Sequence, residues 1–307
     1  AAGLTDTLLE CLQPYDEYEG AGGGSPLAFD MWSASQRREL QRRAFKLLTN
    51  LAVARPESIS EAQPASIAAV LGEYLRPDAP PELRDASIHL LVAALPLSPG
   101  LQAAAGEAGL AAQLIELVAA ISYCAGPTSL APFSTTVVPT TSALRVPTGL
   151  TANSMQAAVL ALGLLCADQP VNQARFGDAG GVACLLPLIK PRTDAALLHS
   201  VIECIWSAVV PSATNLSKLV QREGVLLLLA VLEGAPFAPR AHVLPCLADL
   251  VTSSPEALEQ CREWHGAGRQ SAVQLCLQLW QEESARRGDA AGDGRVVSTQ
   301  PVSYTHL

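Results

Sequence analysis

Cysteine and histidine are the most chemically versatile residues of this sequence, with eight cysteines and five histidines among 307 residues. His242 and Cys246 are one helical turn apart and could place two metal ligands on one face of a helix, but Pro245 interrupts them and no second ligand pair is evident. His199 and Cys204 could form a base and nucleophile pair, but Cys204 lies in an apolar run, where a thiol is inert. The sequence therefore predicts no metal, no cofactor and no catalytic residue.

The cysteines are spread along the chain, and none forms the C-x-x-C pair that is typical of structural zinc sites. We interpret them as buried free thiols of a protein from a reducing compartment. No phosphate-binding loop of the Walker type, G-x-S-x-G turn or H-E-x-x-H pair is present, and Gly22–Gly24 lacks the lysine and helix that a phosphate cradle needs. We therefore expect that the protein is not an enzyme.

The composition favours helices and excludes two classes of partner. Hydrophobic residues make up 49% of the chain and aromatic residues only 5%, and the apolar residues are mainly Ala and Leu, which are strong helix formers. Because Asp and Glu (29) outnumber Lys and Arg (20), a broad cationic surface for nucleic acid is not expected. The longest apolar run, Val225–Leu232, is far shorter than the roughly 20 residues of a membrane span. We predict an all-α protein that binds neither nucleic acid nor membrane.

Helical patterns extend over residues 31–283 and are interrupted once. Ser33 followed by Gln36 is a capping-box pattern, and apolar residues then recur at helical spacing as far as Pro56. Residues 124–153 carry four prolines and many Thr and Ser, so we predict a disordered insertion there. We also expect a partial helix and a flexible Gly-rich loop in residues 1–30, and a disordered tail in residues 284–307. Because the chain starts with Ala1 and not with Met, we expect it to be a fragment.

An internal repeat defines the predicted architecture. Aligning Gly181 with Gly224 places two similar segments 43 residues apart, and a third copy around Gly109 fits with a slip of one residue. This period lies in the range of armadillo and HEAT repeats, in which a short helix, a sharp corner and longer helices follow each other. We expect a right-handed α-solenoid of stacked armadillo/HEAT-like repeats. At its corners, these glycines would provide a positive φ or the absence of a Cβ atom.

One cluster of basic side chains stands out in the acidic sequence. Arg38, Arg42 and Lys46, here called the basic stripe, are spaced four residues apart on the helix after Ser33, with Arg37 and Arg43 beside them. The stripe is either an ordinary solvated helix face or a docking surface for an acidic partner such as a tubulin tail.

The residue four positions after Trp206 argues against a second mode of partner binding. Armadillo proteins that bind import signals place an Asn four residues after a groove Trp, whereas Val210 occupies that position here. We therefore interpret Trp206 as an anchor in the core or between repeats, and import-signal binding is disfavoured.

Several segments together resemble one known family. They are Trp32-Ser33-Ala34, Ile205-Trp206, Glu223-Gly224 followed by Leu227-Leu228-Leu229, and Trp264-x-Gly266 followed by Trp280. In this order and spacing they resemble the cilia- and flagella-associated protein 69 family over about Met31 to Glu283, with the two framing tryptophans Trp264 and Trp280 as the most specific feature. The resemblance implies an armadillo-type scaffold in the central apparatus of motile cilia, without catalysis.

The functional hypothesis from the sequence is a non-enzymatic scaffold of the axoneme, located in the cytoplasm and cilium. Its expected partners are other central-apparatus proteins, including microtubule-associated ones. Two alternatives remain open: a soluble cytosolic armadillo adaptor, and the regulatory repeat region of a larger protein. Residues 301–307 resemble translated sequencing adapter, and no function is assigned to them.

Overall fold

A computed structural model describes residues 2–13, 32–60, 63–124 and 152–290. Most of the predicted Gly-rich loop, nearly all of the predicted insertion and the predicted artefact at residues 301–307 lie outside these ranges. Within them the chain is helical, and two short 3-10 helices occupy Leu95–Leu97 and Leu186–Leu188.

The α-helices of the described residues are α1 (Ala2–Cys11), α2 (Ala34–Ala54), α3 (Glu57–Ser60), α4 (Pro64–Leu75), α5 (Pro81–Ala94), α6 (Pro99–Glu107), α7 (Leu110–Cys124), α8 (Ala152–Cys166), α9 (Pro170–Asp178), α10 (Gly181–Leu185), α11 (Ala195–Ala208), α12 (Ala213–Gln221), α13 (Gly224–Gly234), α14 (Phe237–Ser253), α15 (Pro255–Glu263) and α16 (Ala272–Ala290). No single described helix is long and apolar enough to cross a membrane; α6 and α7 meet that length and composition only as a pair, which is bent by 73°.

The helices are arranged in successive repeats of three, which form an armadillo-type α-solenoid. Helices α6, α9, α12 and α15 each open a repeat, and α8, α11 and α14 each close one. The closing helices pack side by side in the order α2, α5, α8, α11, α14, and we call this row the long-helix layer. Buried apolar residues from α1 to α16 form one continuous cluster, because each repeat covers the apolar face of its neighbour.

The start of α2 follows the local pattern of its sequence. The Ser33 hydroxyl accepts a hydrogen bond from the Gln36 backbone N–H, and the Gln36 side chain accepts one from the Ser33 N–H. The predicted capping box is therefore confirmed, and it satisfies two N–H groups that have no partner within the helix.

The corners between the first and second helices of the repeats differ from the prediction in one respect. Positive φ angles occur at Gly109 (78°), Gly180 (83°) and Glu223 (59°), and not at Gly181 or Gly224. Gly109 is thus the structural counterpart of Gly180, which accounts for the slip of one residue in the sequence alignment. Of the two predicted reasons for glycine at these corners, a positive φ applies to Gly109, and the absence of a Cβ atom applies to Gly181 and Gly224.

Gly181 and Gly224 are instead restricted by packing. They are the first residues of α10 and α13, and a Cβ atom at Gly181 would overlap the Phe176 ring. A Cβ atom at Gly224 would meet the Leu219 side chain in the same way. Both glycines therefore allow the preceding short helix to pack closely against the start of the next one.

Two buried asparagines join successive repeats by hydrogen bonds. The Asn172 amide donates to the Gln102 carbonyl (2.8 Å) and to the Leu165 carbonyl (2.9 Å). The Asn215 amide, one repeat later, donates to the Gln173 carbonyl (2.7 Å) and the Ala208 carbonyl (2.8 Å). Each asparagine thereby satisfies a carbonyl in the last turn of the preceding closing helix, a group that has no partner within its own helix.

The C-terminal boundary of the helical region lies beyond the predicted one. Helix α16 continues past Glu283 to Ala290, whereas the sequence predicted a disordered tail from residue 284. The Arg286 guanidinium lies 2.8 Å from the Glu283 carboxylate, one helical turn away. Such pairs favour helix continuation, and the Ser-Ala-Arg-Arg segment contains no helix breaker before Gly288.

Candidate interaction surface

The basic stripe lies on the exposed side of α2, at one end of the long-helix layer. Its Arg42 side chain is 58% exposed and makes two hydrogen bonds of 2.9 Å to the Glu39 carboxylate. Arg43 donates to the same carboxylate at 2.7 Å, and these two arginines lower the pKa of Glu39 to about 2. Because one carboxylate faces several cations, this surface stays positively charged over the physiological pH range.

A shallow groove of about 230 Å³ runs between α2 and α5 beside the stripe. Its walls combine cationic, polar and apolar groups: Arg42, Phe45, Lys46, Thr49, Asn50, Ala86 and His89. Phe45 lies at its base and is fully buried, with its ring edge-to-face against Tyr74 at a centroid distance of 5.0 Å. The groove has room for a single side chain, and Arg42 and Lys46 give its wall positive charge.

Trp206 lies at the seam between α11 and α14, in the same layer. It is partly buried, and its indole N–H donates to the Asp249 carboxylate at 2.7 Å. The bond joins two successive repeats and is charge-assisted, so it is stronger than a bond between neutral groups.

The other tryptophans of the predicted family motif lie at the two ends of the described solenoid. Trp32 precedes α2 and Trp280 is 67% exposed on α16. Trp264 ends α15 and packs partly buried against the core, next to Gly266, where a Cβ atom would meet the Trp264 ring. The following residue, Ala267, donates its N–H to the Glu233 carboxylate at 2.7 Å, which ties this loop to α13.

The structure regroups the histidines that the sequence had paired with cysteines. Cys204 and Cys246 are fully buried in the core. His199 on α11 instead faces His242 on α14, with ring centroids 4.1 Å apart. Glu203, one turn after His199, completes a half-buried group whose potential ligand atoms all lie within 4.8 Å of one another. The spacing of His199 and Glu203 was visible in the sequence, but their partner on α14 was not.

Four cysteines, here called the core thiols, lie in the core or against it: three are buried and Cys184 is half-buried. They are Cys166, Cys184, Cys204 and Cys246. Burial raises the pKa of Cys166, Cys184 and Cys246 to about 12 and holds that of Cys204 well above its usual range. No thiolate is therefore available from this group near neutral pH, and none has the lowered pKa of a catalytic cysteine.

Comparison with known proteins assigns the family. Residues 150–302 match the model of the armadillo repeat of cilia- and flagella-associated protein 69. Over these residues the chain belongs to the cilia- and flagella-associated protein 69 family. The match includes α8 to α16, and thus Trp206, Trp264 and Trp280 of the motif on which the resemblance was based. No curated protein matches the sequence.

Solved structures support the same fold for this family member. A designed armadillo repeat protein is 14% identical, with a TM-score of 0.58 over 89% of this chain and 98% of that one. An engineered protein gives a TM-score of 0.60 at 14% identity over 91% of this chain and 89% of that one. A second engineered protein gives a TM-score of 0.58 at 16% identity over 82% of this chain. The chain spans about half (51%) of the length of that protein. At these identities the similarity establishes the armadillo fold alone.

Proposed function

We propose that this chain is a non-enzymatic scaffold of the axonemal central apparatus in motile cilia and flagella. The main support is the match to the family model over residues 150–302. The armadillo-type solenoid also has a continuous long-helix layer, which offers an extended surface for partner proteins. The mechanism is geometric: stacked helices hold bound partners at fixed spacing, and a few anchoring contacts supply the binding energy.

The basic stripe and the groove between α2 and α5 form the proposed docking surface for an acidic segment of a partner. An exposed ion pair contributes only about 0.2–1 kcal/mol, so Arg38, Arg42 and Lys46 act together and mainly increase the association rate and selectivity. The apolar part of the groove wall, which includes the half-buried Ala86, supplies contact for a side chain of the same segment. Binding of this kind weakens as salt is raised, because these cations are exposed.

Axoneme fractionation tests the location. The tagged protein is expressed in ciliated cells, axonemes are extracted with increasing salt, and the fractions are followed by mass spectrometry. Recovery with the central-apparatus proteins is the expected result. A diffuse cytosolic distribution without an axonemal fraction would contradict the proposal and favour a soluble adaptor.

Charge reversal tests the docking surface. Replacing Arg38, Arg42 and Lys46 by Glu should weaken co-sedimentation with microtubules at low salt by about tenfold or more, as expected from three lost attractions of about 0.5 kcal/mol each. A matched control reverses Lys190, Arg192 and Arg222, which are exposed at other positions and give the same change in net charge. Equal binding by the two triple variants would show that the basic stripe is not the docking surface. Repeating the assay with microtubules that lack the acidic tubulin tails shows whether those tails are the ligand.

A further inference from the structure

We propose that His199, Glu203 and His242 bind a zinc ion that links α11 to α14. The two histidine rings are 4.1 Å apart at an angle of 61°, and the potential ligand atoms of the three residues lie within 4.8 Å of one another. His199 and Glu203 share one face of α11 because they are four residues apart, and the packing of α14 brings His242 to that face.

An unpaired atom at this position supports a ligand. The Nδ1 atom of His199 is buried and has no hydrogen-bond partner in the described part of the chain. A buried polar atom without a partner is unfavourable, and native structures usually satisfy it with protein, water or an ion. A metal ion bound by the imidazoles removes the cost and holds the two rings together without protonating either.

The types of ligand select the ion. Two imidazole nitrogens and one carboxylate oxygen are a set typical of Zn²⁺, whereas Ca²⁺ and Mg²⁺ prefer oxygen ligands throughout. Bonds of about 2.0–2.2 Å in a tetrahedral site place ligand atoms roughly 3.3–3.6 Å apart. Small rotations of three half-buried side chains achieve this from the observed separation. Solvent takes the fourth position, since the described residues offer three ligands here.

The position of the site gives the ion a structural role. It lies at the same seam as the bond from Trp206 to Asp249, so both join two successive repeats through the long-helix layer. A bound ion stabilises the folded state because the unfolded chain does not hold the three ligands together. Zinc therefore strengthens the stacking of these repeats. The inference is independent of the proposed function.

Cobalt absorption of the unmodified protein is the first test. The 307-residue chain, without an affinity tag, is treated with a chelator and titrated with Co²⁺. Visible bands of a tetrahedral nitrogen and oxygen site should saturate at one equivalent and disappear when Zn²⁺ is added. The absence of saturable binding would overturn the proposal, as would the strong near-ultraviolet absorption of a cobalt thiolate. This test needs no variant, so its outcome does not depend on the folding of a mutant.

Variants then assign the ligands. His199→Ala, Glu203→Gln and His242→Gln should each weaken Zn²⁺ binding, measured by competition with a chromogenic chelator, by at least about 10–100-fold, the effect that outer-shell partners alone have in known sites. His89→Ala removes an exposed histidine of α5 and should leave affinity unchanged, and Cys246→Ala should do so as well. Unchanged affinity in the three ligand variants, or a loss confined to Cys246→Ala, would refute the assignment.

Thermal unfolding separates a structural ion from an adventitious one. At a Zn²⁺ concentration that just saturates the unmodified protein, the midpoint should rise clearly more in the unmodified protein and in His89→Ala than in Glu203→Gln. An equal rise in Glu203→Gln would show that Zn²⁺ acts at another position and would overturn the proposed link between α11 and α14.

Discussion

The contact between Asn215 and Gly177 allows a double-mutant experiment whose sign follows from the structure. Asn215→Ala removes the donor for the Ala208 carbonyl at the end of α11 and a second bond to the Gln173 carbonyl. An unsatisfied buried carbonyl costs about 1–3 kcal/mol, and a further hydrogen bond contributes about 1 kcal/mol. Asn215→Ala should therefore lower the free energy of unfolding by about 2–4 kcal/mol.

The effect of Gly177→Ala depends on which residue occupies position 215. A Cβ atom at Gly177 would overlap the amide oxygen of Asn215, and that amide is held in place by its two hydrogen bonds. In the unmodified protein the change should cost about 1–3 kcal/mol through overpacking. With Ala at position 215 the space is free, and Ala should gain about 0.5–1 kcal/mol over Gly in α9. The sign reverses, and the coupling energy is about 1.5–4 kcal/mol.

The next repeat already contains the compensated arrangement. Ala257 stands at the position equivalent to Asn215, and Val220 stands at the position equivalent to Gly177. Both side chains are buried, so in this repeat the larger residue at the glycine position occurs together with a smaller residue at the asparagine position. Asn172 and Gly106 form the same pair as Asn215 and Gly177 one repeat earlier and should show the same coupling.

Urea denaturation followed by the helical circular dichroism signal measures the cycle, with the exposed Asn50→Ala as a control expected to change stability by less than about 0.5 kcal/mol. Because solenoids can unfold in stages, hydrogen exchange at the end of α11 provides a local measurement. If Gly177→Ala costs the same in both backgrounds to within about 0.5 kcal/mol, the two sites are independent and the packing argument fails.

Three further predictions concern other contacts. The core thiols should react with a thiol reagent at pH 8 at least about 100-fold more slowly in the native protein than in denaturant, because burial holds the pKa of each thiol well above its usual range. Fast labelling of all four in the native protein, measured by mass spectrometry, would contradict their burial. Trp206→Phe keeps an aromatic ring but removes the hydrogen bond to Asp249, and should lower the free energy of unfolding in urea by about 1–2 kcal/mol. An unchanged free energy of unfolding would show that the bond contributes nothing because water hydrates the carboxylate equally well. Gly180 and Glu223 both have positive φ, which favours Gly over other residues. Gly180→Ala should therefore lower the free energy of unfolding by about 1–2 kcal/mol, whereas Glu223→Gly should raise it by about 0.5–1 kcal/mol. Unfolding midpoints that shift in the same direction would argue against the corner geometry.

Local signals in the sequence were sufficient for the helices and the repeat. The capping box of Ser33 and Gln36 depends on residues three apart, so it could be predicted without knowledge of the fold. The end of each helix near Pro or Gly likewise depends on neighbouring residues. The 43-residue period is visible when the sequence is compared with itself, and it led to the armadillo-type architecture. The exact corner residue could not be chosen, because Gly180 and Gly181 are adjacent and Glu223 adopts an angle that a sequence pattern assigns to Gly.

The candidate sites likewise include one that depends on a single helix and others that depend on the packing of two helices. The basic stripe is a property of one helix, and its spacing was readable from residues 38 to 46. The groove beside it required α5 to pack against α2, and the group of His199, Glu203 and His242 required α14 to pack against α11. From the sequence, His199 and His242 were paired with cysteines that the structure buries in the core.

The sequence by itself determined that this protein is a helical repeat array, because helix formation and capping are set by residues within a few positions of one another. Only the tertiary structure decided which polar groups meet. The carbonyls bound by Asn172 and Asn215, the carboxylate bound by Trp206 and the imidazole facing His199 are all brought together by stacking of one repeat on the next. These contacts depend on side-chain volumes across the seam, such as Gly177 opposite Asn215, and no local pattern contains that information.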